Sequence, residues 1–286
     1  MAHKRLRFLG VVAAAMVLTM ACGGTSGGGT PTKTYKIGLV TDIGGLNDKS
    51  FNHLADVGLE KAKTDFKVQG DVKESKSGDD YIPNLTDFAT KKYDLVIGVG
   101  FLMAEAVGTV SGQFPNIHFA IIDGAGTDAK GNDLKHANVQ SLYFKEQDAG
   151  AMVGVIAGWL EKNGKAKKNK HVIGAVGGVS IPPVNHYIAG YKWAAKMEDP
   201  SIKILVGYSN NFNDPAKCKS VAKAQIDQQA DIVFQVAGGC GLGALQQAGQ
   251  SGGVPVGIND PRPQLGARGQ LRQQVGPGEL LVRPAQ

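Results

Sequence analysis

The stretch 36–52 places side chains that can hold a ligand around one turn of the chain. Its apolar run 37–40 is typical of a buried strand, and Asp42 follows shortly after, ahead of a two-glycine turn. The Asn-Asp pair at 47–48 then stands where it can cap a helix that begins near Phe51. Unpaired N–H groups and the positive end of a helix meet at such a corner, which is a frequent ligand site in α/β proteins. Taken alone, the stretch also fits an ordinary strand–helix unit without a ligand.

Strands and helices alternate from residue 35 onward, a pattern that predicts parallel sheets with helices on both faces. A second round of alternation starts at Glu146, with no linker before it. We therefore expect an α/β fold of two doubly wound lobes, 35–145 and 146–258, with a hinge and a central cleft. The predicted strands are 37–40, 66–72, 95–99, 119–122, 139–144, 171–176, 202–208, 231–236 and 254–258. The predicted helices include 51–66, 82–92, 103–114, 148–160, 186–197, 216–229 and 242–251.

The segment 40–52, VTDIGGLNDKSFN, resembles the opening signature of the basic membrane lipoprotein (BMP) family. Later segments match the family in the same order, at 98–101, 121–124, 177–184 and 235–239. Members of this family are substrate-binding proteins of ABC importers, and the characterised ones bind purine nucleosides. The resemblance covers about residues 35–260. It implies the fold of the type 1 periplasmic binding proteins, in which two lobes close around a ligand.

The resemblance also implies which side chains hold the ligand. Phe51 and Phe212, from opposite lobes, would stack on the two faces of a base. Ionised Asp42 and Asp123 would accept hydrogen bonds from the base or the ribose, and Asn52 could donate as well as accept. From the residues alone, core packing stays open for the two rings, and helix capping or turn formation for the two acids.

Backbone positions complete the expected site. Gly100 and Gly238 permit a ligand to approach the main chain closely, and Phe101 is expected to wall the pocket. In the family, the strand after the second lobe ends in Gly-Val-Asp, and this aspartate holds the ribose. Gly-Ile-Asn-Asp stands at that place here. Either Asn259 replaces the family acid or Asp260 takes over its role.

The tail departs from the family pattern. Residues 261–286 contain four Pro, four Gly, five Gln and four Arg, with no aromatic residue and no Lys. They match neither the strand nor the helices that complete both lobes in the family. We expect the segment 259–286 to be aberrant, either as the product of a frameshift or as a divergent, disordered tail. C-terminal completion of the fold is then missing.

The first 22 residues have the pattern of a secretory leader, with a basic start, an apolar run at 8–18 and a small residue before Cys22. The apolar run is too short to span a bilayer well. The Ala-Cys-Gly-Gly sequence resembles a bacterial lipobox, which implies a lipid on Cys22; a plain secreted protein is the alternative. The Gly- and Thr-rich stretch 23–34 would form a flexible linker with a reach of roughly 20 Å. We expect the protein on the extracytoplasmic face of the cell membrane.

Several function classes find no support in the sequence. The net charge of +6 does not indicate nucleic-acid binding, because basic residues collect in the leader, in the loop 165–170 and in the tail. Walker motifs, zinc-ligand spacings and nucleophile elbows are absent, so we expect no enzyme, no cofactor and no metal. Cys218 and Cys240 remain beside Cys22, and in an exported protein they are expected to form a disulfide. Two buried thiols are the alternative.

These observations predict a lipid-anchored, monomeric substrate-binding protein of an ABC importer. Its expected partners are a purine nucleoside, the permease subunits in the membrane and the membrane itself through the lipid. Closure of the lobes would capture the ligand without covalent chemistry. A binding protein for a sugar or another small polar solute is one alternative. A surface receptor or antigen with a non-functional cleft is another.

Overall fold

The computed structural model describes residues 33–257. The predicted leader, Cys22, most of the predicted linker, Asn259, Asp260 and the tail 261–286 lie outside the described residues. Within 33–257, no helix combines the length and the apolar character that a membrane crossing requires.

The first half of the described chain forms a five-stranded parallel sheet in the order β2-β1-β3-β4-β5. Helix α1 packs on one face through Leu59, beside Leu39, while α2 and α3 cover the other face, on which Val40 lies. Adjacent strand residues point to opposite faces, so a strand covered on both sides must be apolar throughout. The strands are β1 (Lys36–Val40), β2 (Gln69–Lys73), β3 (Leu95–Val99), β4 (His118–Ile122) and β5 (Val139–Leu142); the helices are α1 (Phe51–Phe66), α2 (Tyr81–Thr90) and α3 (Ala104–Gln113).

The second half forms a four-stranded parallel sheet in the order β7-β6-β8-β9. Helices α4 and α5 cover one face of this sheet, and α6 and α7 cover the other. The strands are β6 (Val172–Gly177), β7 (Lys203–Tyr208), β8 (Ile232–Val236) and β9 (Val254–Gly257); the helices are α4 (Glu146–Lys162), α5 (Pro182–Glu198), α6 (Pro215–Asp227) and α7 (Gly238–Gln250). Three short 3-10 helices, Leu46–Asp48, Gly78–Asp80 and Phe101–Met103, lie in the first half.

The predicted α/β class with parallel sheets is confirmed. The name first lobe refers to the part of the chain with β1–β5 and α1–α3, and the name second lobe refers to the part from α4 to β9. The boundaries 35–145 and 146–258 stay predictions. In the sequence, the apolar period of α1 predicts one buried face formed by Phe51, Leu54, Leu59, Ala62 and Phe66. This prediction is partly wrong, because Leu54 and Phe66 are 44% and 76% exposed. The buried side of this helix instead runs through Asn52 and Leu59.

Helices α4 and α5 approach each other unusually closely because glycines line their contact. A Cβ atom at Gly154 would clash with the carbonyl oxygen of Tyr191, and one at Gly190 would clash with that of Gln147. Gly150, one turn before Gly154, meets the carbonyl of Tyr187 in the same way. The two backbones therefore touch without side chains between them.

Candidate functional site

The carboxyl ends of both sheets open onto one cleft of about 640 Å³, counted to its solvent-open mouth. Strands of parallel sheets bring their following loops together at this edge, which is where α/β proteins collect ligand groups. The cleft contains every ligand-site residue predicted from the sequence that the structure describes: Asp42, Phe51, Asn52, Gly100, Phe101 and Asp123 from the first lobe, and Phe212 and Gly238 from the second. Asn259 and Asp260 lie outside the described residues.

Asp48 caps the start of α1 and fixes the loop before it. Its Oδ1 accepts hydrogen bonds from the backbone N–H groups of Ser50 and His53, at 2.9 and 3.1 Å. Its Oδ2 accepts from the N–H of Asn52 at 2.8 Å. These donors would otherwise stay unsatisfied at the helix start. Of the two residues expected to cap, Asp48 makes these bonds, and it also lines the cleft.

Asn52 holds Asp42 in place. The Nδ2 of Asn52 donates to Asp42 Oδ1 at 2.7 Å and to Asp48 Oδ2 at 3.2 Å, and its Oδ1 accepts from the backbone N–H of Asp42 at 3.1 Å. Both amide hydrogens of Asn52 are therefore used within the protein. Asn52 lines the cleft, but its donors position Asp42 and are not free for a ligand.

Asp42 presents its second oxygen to the cleft. Its Oδ1 also accepts from the N–H of Gly44 at 2.8 Å, while its Oδ2 makes no hydrogen bond among the described residues and lies beside Gly100. A Cβ at Gly100 would come within 2.9 Å of that oxygen, and φ at this residue is +102°. Both the contact and the backbone conformation therefore exclude a side chain at this position. Burial and the charge of Asp48 raise the pKa of Asp42, against the hydrogen bonds from Gly44 and Asn52.

Asp123 lies at the end of β4 with a left-handed φ of 68°. The residue is buried, and the acid that acts on its carboxyl group is Glu146, the first residue of α4. Burial beside another acid favours the protonated form of a carboxyl group, which runs against the expectation of an ionised Asp123. Burial and the neighbouring Glu146 raise the pKa of Asp123 to about 8. Its Oδ1 is buried and has no hydrogen-bond partner among the described residues.

The pKa of Glu146 is shifted in the opposite direction. Burial raises its pKa, but hydrogen bonds from Asp123 and His186 outweigh that effect, and the net shift is downward. His186 Nδ1 lies 3.2 Å from Glu146 Oε2.

The loop 209–214 carries Phe212 to the opposite wall. The backbone oxygen of Phe212 accepts from the N–H of Cys240 at 2.8 Å, and its ring lies against Gly178. Cys240 forms a disulfide with Cys218, which joins α7 to α6. Gly238, with φ at +53°, lies beside Phe212 and starts α7 at the cleft. The disulfide thus anchors the segment that presents the aromatic ring.

The sequence reasoning missed several lining residues. Ile181, Pro183 and Val184 belong to a segment that resembles the family, but no role was assigned to it. Tyr187 follows Val184 by one helical turn, so the 3.6-residue period of α5 could have indicated it. Burial and the charges of Asp123 and Glu146 raise the pKa of Tyr187 to about 12. The other missed lining residues are Gly44, Asp48, Ser50, Leu102, Val236 and Ala237.

The chemical character of the cleft follows from its lining. Three carboxyl groups, two facing lobes and several aromatic rings are present, and no Lys, Arg or His lines it within residues 33–257. This lining favours a neutral, flat molecule that donates hydrogen bonds, and it disfavours phosphate groups. Among the described residues, no group of three or more His, Cys, Asp and Glu side chains could hold a metal ion.

Comparison with known proteins assigns the chain to a family. The family described as "ABC transporter substrate-binding protein PnrA-like" matches residues 35–260. The chain belongs to this family. The resemblance to the BMP lipoproteins is thereby confirmed, and relatives in the PnrA-like family include proteins named as basic membrane proteins.

Three relatives illustrate the match. A CD4+ T-cell-stimulating antigen of Listeria innocua is 33% identical over 250 residues, which is 84% of this chain and 66% of that protein. An uncharacterised lipoprotein of Pyrococcus abyssi is 33% identical over 244 residues, 82% of this chain and 58% of that protein. The ABC transporter nucleoside-binding protein BmpA of Lactococcus lactis is 30% identical over 253 residues, 86% of this chain and 68% of that protein. The chain thus spans about three fifths to two thirds of the length of these PnrA-like relatives.

A solved structure supports the fold. An ABC transporter solute-binding protein of Aeropyrum pernix superposes with a TM-score of 0.69 and 26% identity, covering 76% of this chain and 59% of that one. The PnrA-like assignment and the parallel α/β architecture therefore agree.

Proposed function

We propose that the chain is the substrate-binding protein of an ABC importer, and that it binds a neutral purine nucleoside in the cleft and delivers it to a membrane permease. The observation that carries this proposal is the placement of Phe51 and Phe212, from different lobes, on one cleft that also contains the carboxyl groups of Asp42 and Asp123. Two rings can stack on a base while the acids accept hydrogen bonds from it and from its sugar. The name of the Lactococcus lactis relative agrees with this ligand class.

The charge of the cleft lining restricts the class of ligand that can bind. A nucleotide would bring a phosphate into a cleft lined by three acids and no basic residue in the described part. Burying that charge without a cation is unfavourable. We therefore infer that the protein discriminates against phosphorylated forms. The proposed activity consists of binding and release, without covalent chemistry.

The test is isothermal titration of the full chain, solubilised in detergent, with inosine, guanosine, adenosine, uridine, inosine monophosphate and D-ribose. We expect at least one purine nucleoside to bind and the monophosphate to bind much more weakly. Phe51→Ala and Phe212→Ala should each weaken binding by about 1–3 kcal/mol, or roughly 5- to 150-fold. Phe66→Ala, at the exposed far end of the same helix as Phe51, is the matched control and should bind like the wild type.

Other outcomes select the alternatives. Binding of ribose alone would replace the nucleoside by a sugar. If no solute binds, the proposed transport function is rejected, and the alternative function as a surface receptor or antigen is favoured.

The location is a separate part of the proposal. Relatives are named lipoproteins, and the motif around Cys22 agrees with a lipid anchor on the extracytoplasmic face of the membrane. Cys22→Ser should move the protein from the membrane fraction to the soluble fraction. An unchanged distribution would contradict the anchor.

A further inference from the structure

The polar side chains that line the cleft are divided unequally between the two lobes. Within residues 33–257, the first lobe contributes five of them: Asp42, Asp48, Ser50, Asn52 and Asp123. The second lobe contributes apolar side chains and a glycine, and its one polar side-chain group at the described cleft is the hydroxyl of Tyr187. A ligand between the lobes therefore meets acids on the first lobe and a single phenol on the second.

The hydroxyl group of Tyr187 is unpartnered and accessible. It makes no hydrogen bond within the described part of the chain. The residue is half-buried, and its hydroxyl oxygen retains accessible surface. In contrast, the hydroxyl of Tyr191, one helical turn later on α5, is fully buried and has no partner among residues 33–257. Since polar groups of folded proteins bond to protein, water or ligand, the Tyr187 hydroxyl is available to a molecule in the cleft.

The other polar side chains of the cleft are poorer sources of a hydrogen-bond donor. Asn52 already donates to Asp42 and Asp48 at 2.7 and 3.2 Å. Ser50 is only 2% exposed, and carboxyl groups accept hydrogen bonds when they are ionised. A neutral solute such as a nucleoside carries acceptors as well as donors, so the cleft must supply a donor for them. Among its described side chains, Tyr187 is the best placed to do so.

Tyr187 is also held in a fixed position. A Cβ atom at Gly150 would lie 2.0 Å from the carbonyl oxygen of Tyr187, so the backbone of α4 packs directly on this residue. The aromatic ring packs against the core of the second lobe. Burial and the charges of Asp123 and Glu146 raise the pKa of Tyr187 to about 12, so the phenol keeps its proton. A donor that is ordered before binding loses little conformational entropy when the ligand arrives.

We propose that Tyr187 is a specificity-determining residue whose hydroxyl group donates a hydrogen bond to an acceptor on the base of the bound nucleoside. The base is the favoured partner because the neighbours of Tyr187 in the cleft, Ile181, Pro183 and Val184, form an apolar surface that suits a flat ring. The contact joins the second lobe to a ligand held by the acids of the first lobe, so it forms only when the lobes close. This inference rests on the proposed function for the identity of the ligand.

The test removes one oxygen atom at each of two positions on α5. Isothermal titration should show that Tyr187→Phe, which keeps the ring, binds purine nucleosides about three- to tenfold more weakly than the wild type, because one neutral hydrogen bond is lost. Tyr191→Phe is the matched control. It removes a buried hydroxyl that has no partner among the described residues, so its affinity should equal that of the wild type. Thermal unfolding verifies that both variants fold.

A series of ligands separates a hydrogen bond to the base from an effect on the shape of the cleft. The series contains inosine, purine riboside, which lacks the oxo oxygen of inosine, and deaza analogues, which each lack one ring nitrogen. One of these analogues should bind to the wild type and to Tyr187→Phe with equal affinity, because the acceptor for Tyr187 is missing. If Tyr187→Phe weakens every ligand by the same factor, or weakens none, the proposal is overturned.

Failure of the proposed function gives a different result. If the wild type binds no nucleoside, or binds D-ribose alone, both the proposed function and the contact to the base are rejected. If the wild type binds nucleosides and Tyr187→Phe binds them equally well, the role of Tyr187 is rejected and the proposed function stands.

Discussion

The Nδ2 of Asn213 lies 2.6 Å from the backbone oxygen of Ile43, and this hydrogen bond joins the two lobes at the cleft. Asn213 follows β7 in the second lobe, and Ile43 follows β1 in the first. Asn211 shapes the donor loop, because its Oδ1 accepts from the N–H groups of Asn213 and Asp214 at 2.7 and 2.6 Å. The lobes are thus held by a side-chain contact that exists only when they lie close together.

Asn213→Ala should favour an open arrangement of the lobes. Removal of one hydrogen bond costs about 0.5–1.5 kcal/mol, so ligand affinity should fall roughly two- to tenfold. Small-angle X-ray scattering should report a larger radius of gyration without ligand. Asn47→Ala is the matched control, because Asn47 is exposed and its side chain makes no hydrogen bond within the described part of the chain. An unchanged affinity in Asn213→Ala would show that this contact does not stabilise the closed form.

Glu161 should make the protein less stable as pH rises. The side chain is fully buried, Oε2 accepts from the N–H of His171 at 3.0 Å, and Oε1 has no partner among the described residues. Burial and the charge of Asp231 raise the pKa of Glu161 to about 7. Its ordinary value is 4.5, so the folded state keeps a proton that the unfolded chain loses between these values.

The stability from neutral Glu161 is therefore complete below about pH 4.5 and is lost as pH rises to about 7. The loss can reach about 3 kcal/mol. Urea unfolding across this range should show the decline in wild type and a weaker pH dependence in Glu161→Gln. Because Asp123 acts in the same direction, the comparison is best made in an Asp123→Asn background. A flat wild-type profile would contradict a buried, protonated Glu161.

The disulfide should stabilise the fold and the aromatic wall together. Cys218 and Cys240 are separated by 22 positions, and closing such a loop is worth about 3 kcal/mol. A Cys218→Ser, Cys240→Ser double variant should lose about that much stability and should bind ligand more weakly, because Cys240 also donates to the oxygen of Phe212. A reductant should lower the melting temperature of the wild type and leave that of the double variant unchanged. Equal sensitivity of both proteins would argue against the bond.

Gly154→Ala and Gly58→Ala should shift stability in opposite directions. At Gly154 a methyl group meets the backbone of Tyr191, so unfolding should become easier by about 1–3 kcal/mol. At Gly58, in the interior of α1, no atom lies within 4 Å of the added Cβ. Alanine there should stabilise the protein by about 0.5–1 kcal/mol through helix propensity. Chemical denaturation of both variants tests this; equal shifts would refute the close packing of α4 and α5.

The order of strands and helices could be predicted because parallel strands covered on both faces are short, continuous apolar runs. Leu95–Val99 was predicted to the residue. The face of α1 could not be predicted in the same way. Leu54 and Phe66 follow an apolar period, but the sheet reaches only as far as the side on which Leu59 lies. The burial of a helix face depends on which elements pack beside it, and the period of apolar residues alone does not show which elements these are.

The site was predictable in its members but less so in their states. Loop residues after strands, such as Asp42 and Asp123, were placed at the cleft by their sequence position and by the family resemblance. The raised pKa of Asp123 could not be foreseen, because it depends on burial and on Glu146, 23 positions later in the chain and in the other lobe. Asn52 likewise has the chemistry of a ligand contact, and only the positions of Asp42 and Asp48 show that its donors are already used.

The glycine contact between α4 and α5 also determines how movement at the hinge spreads. Since the two backbones touch, sliding or rolling of α4 against α5 would bring backbone atoms into collision, so we expect the two helices to move as one unit. Val184 and Tyr187 lie on α5 and form part of the cleft wall, so they move with this helix pair. Any rotation of α4 would therefore displace this part of the cleft wall, although α4 itself contributes no residue to it.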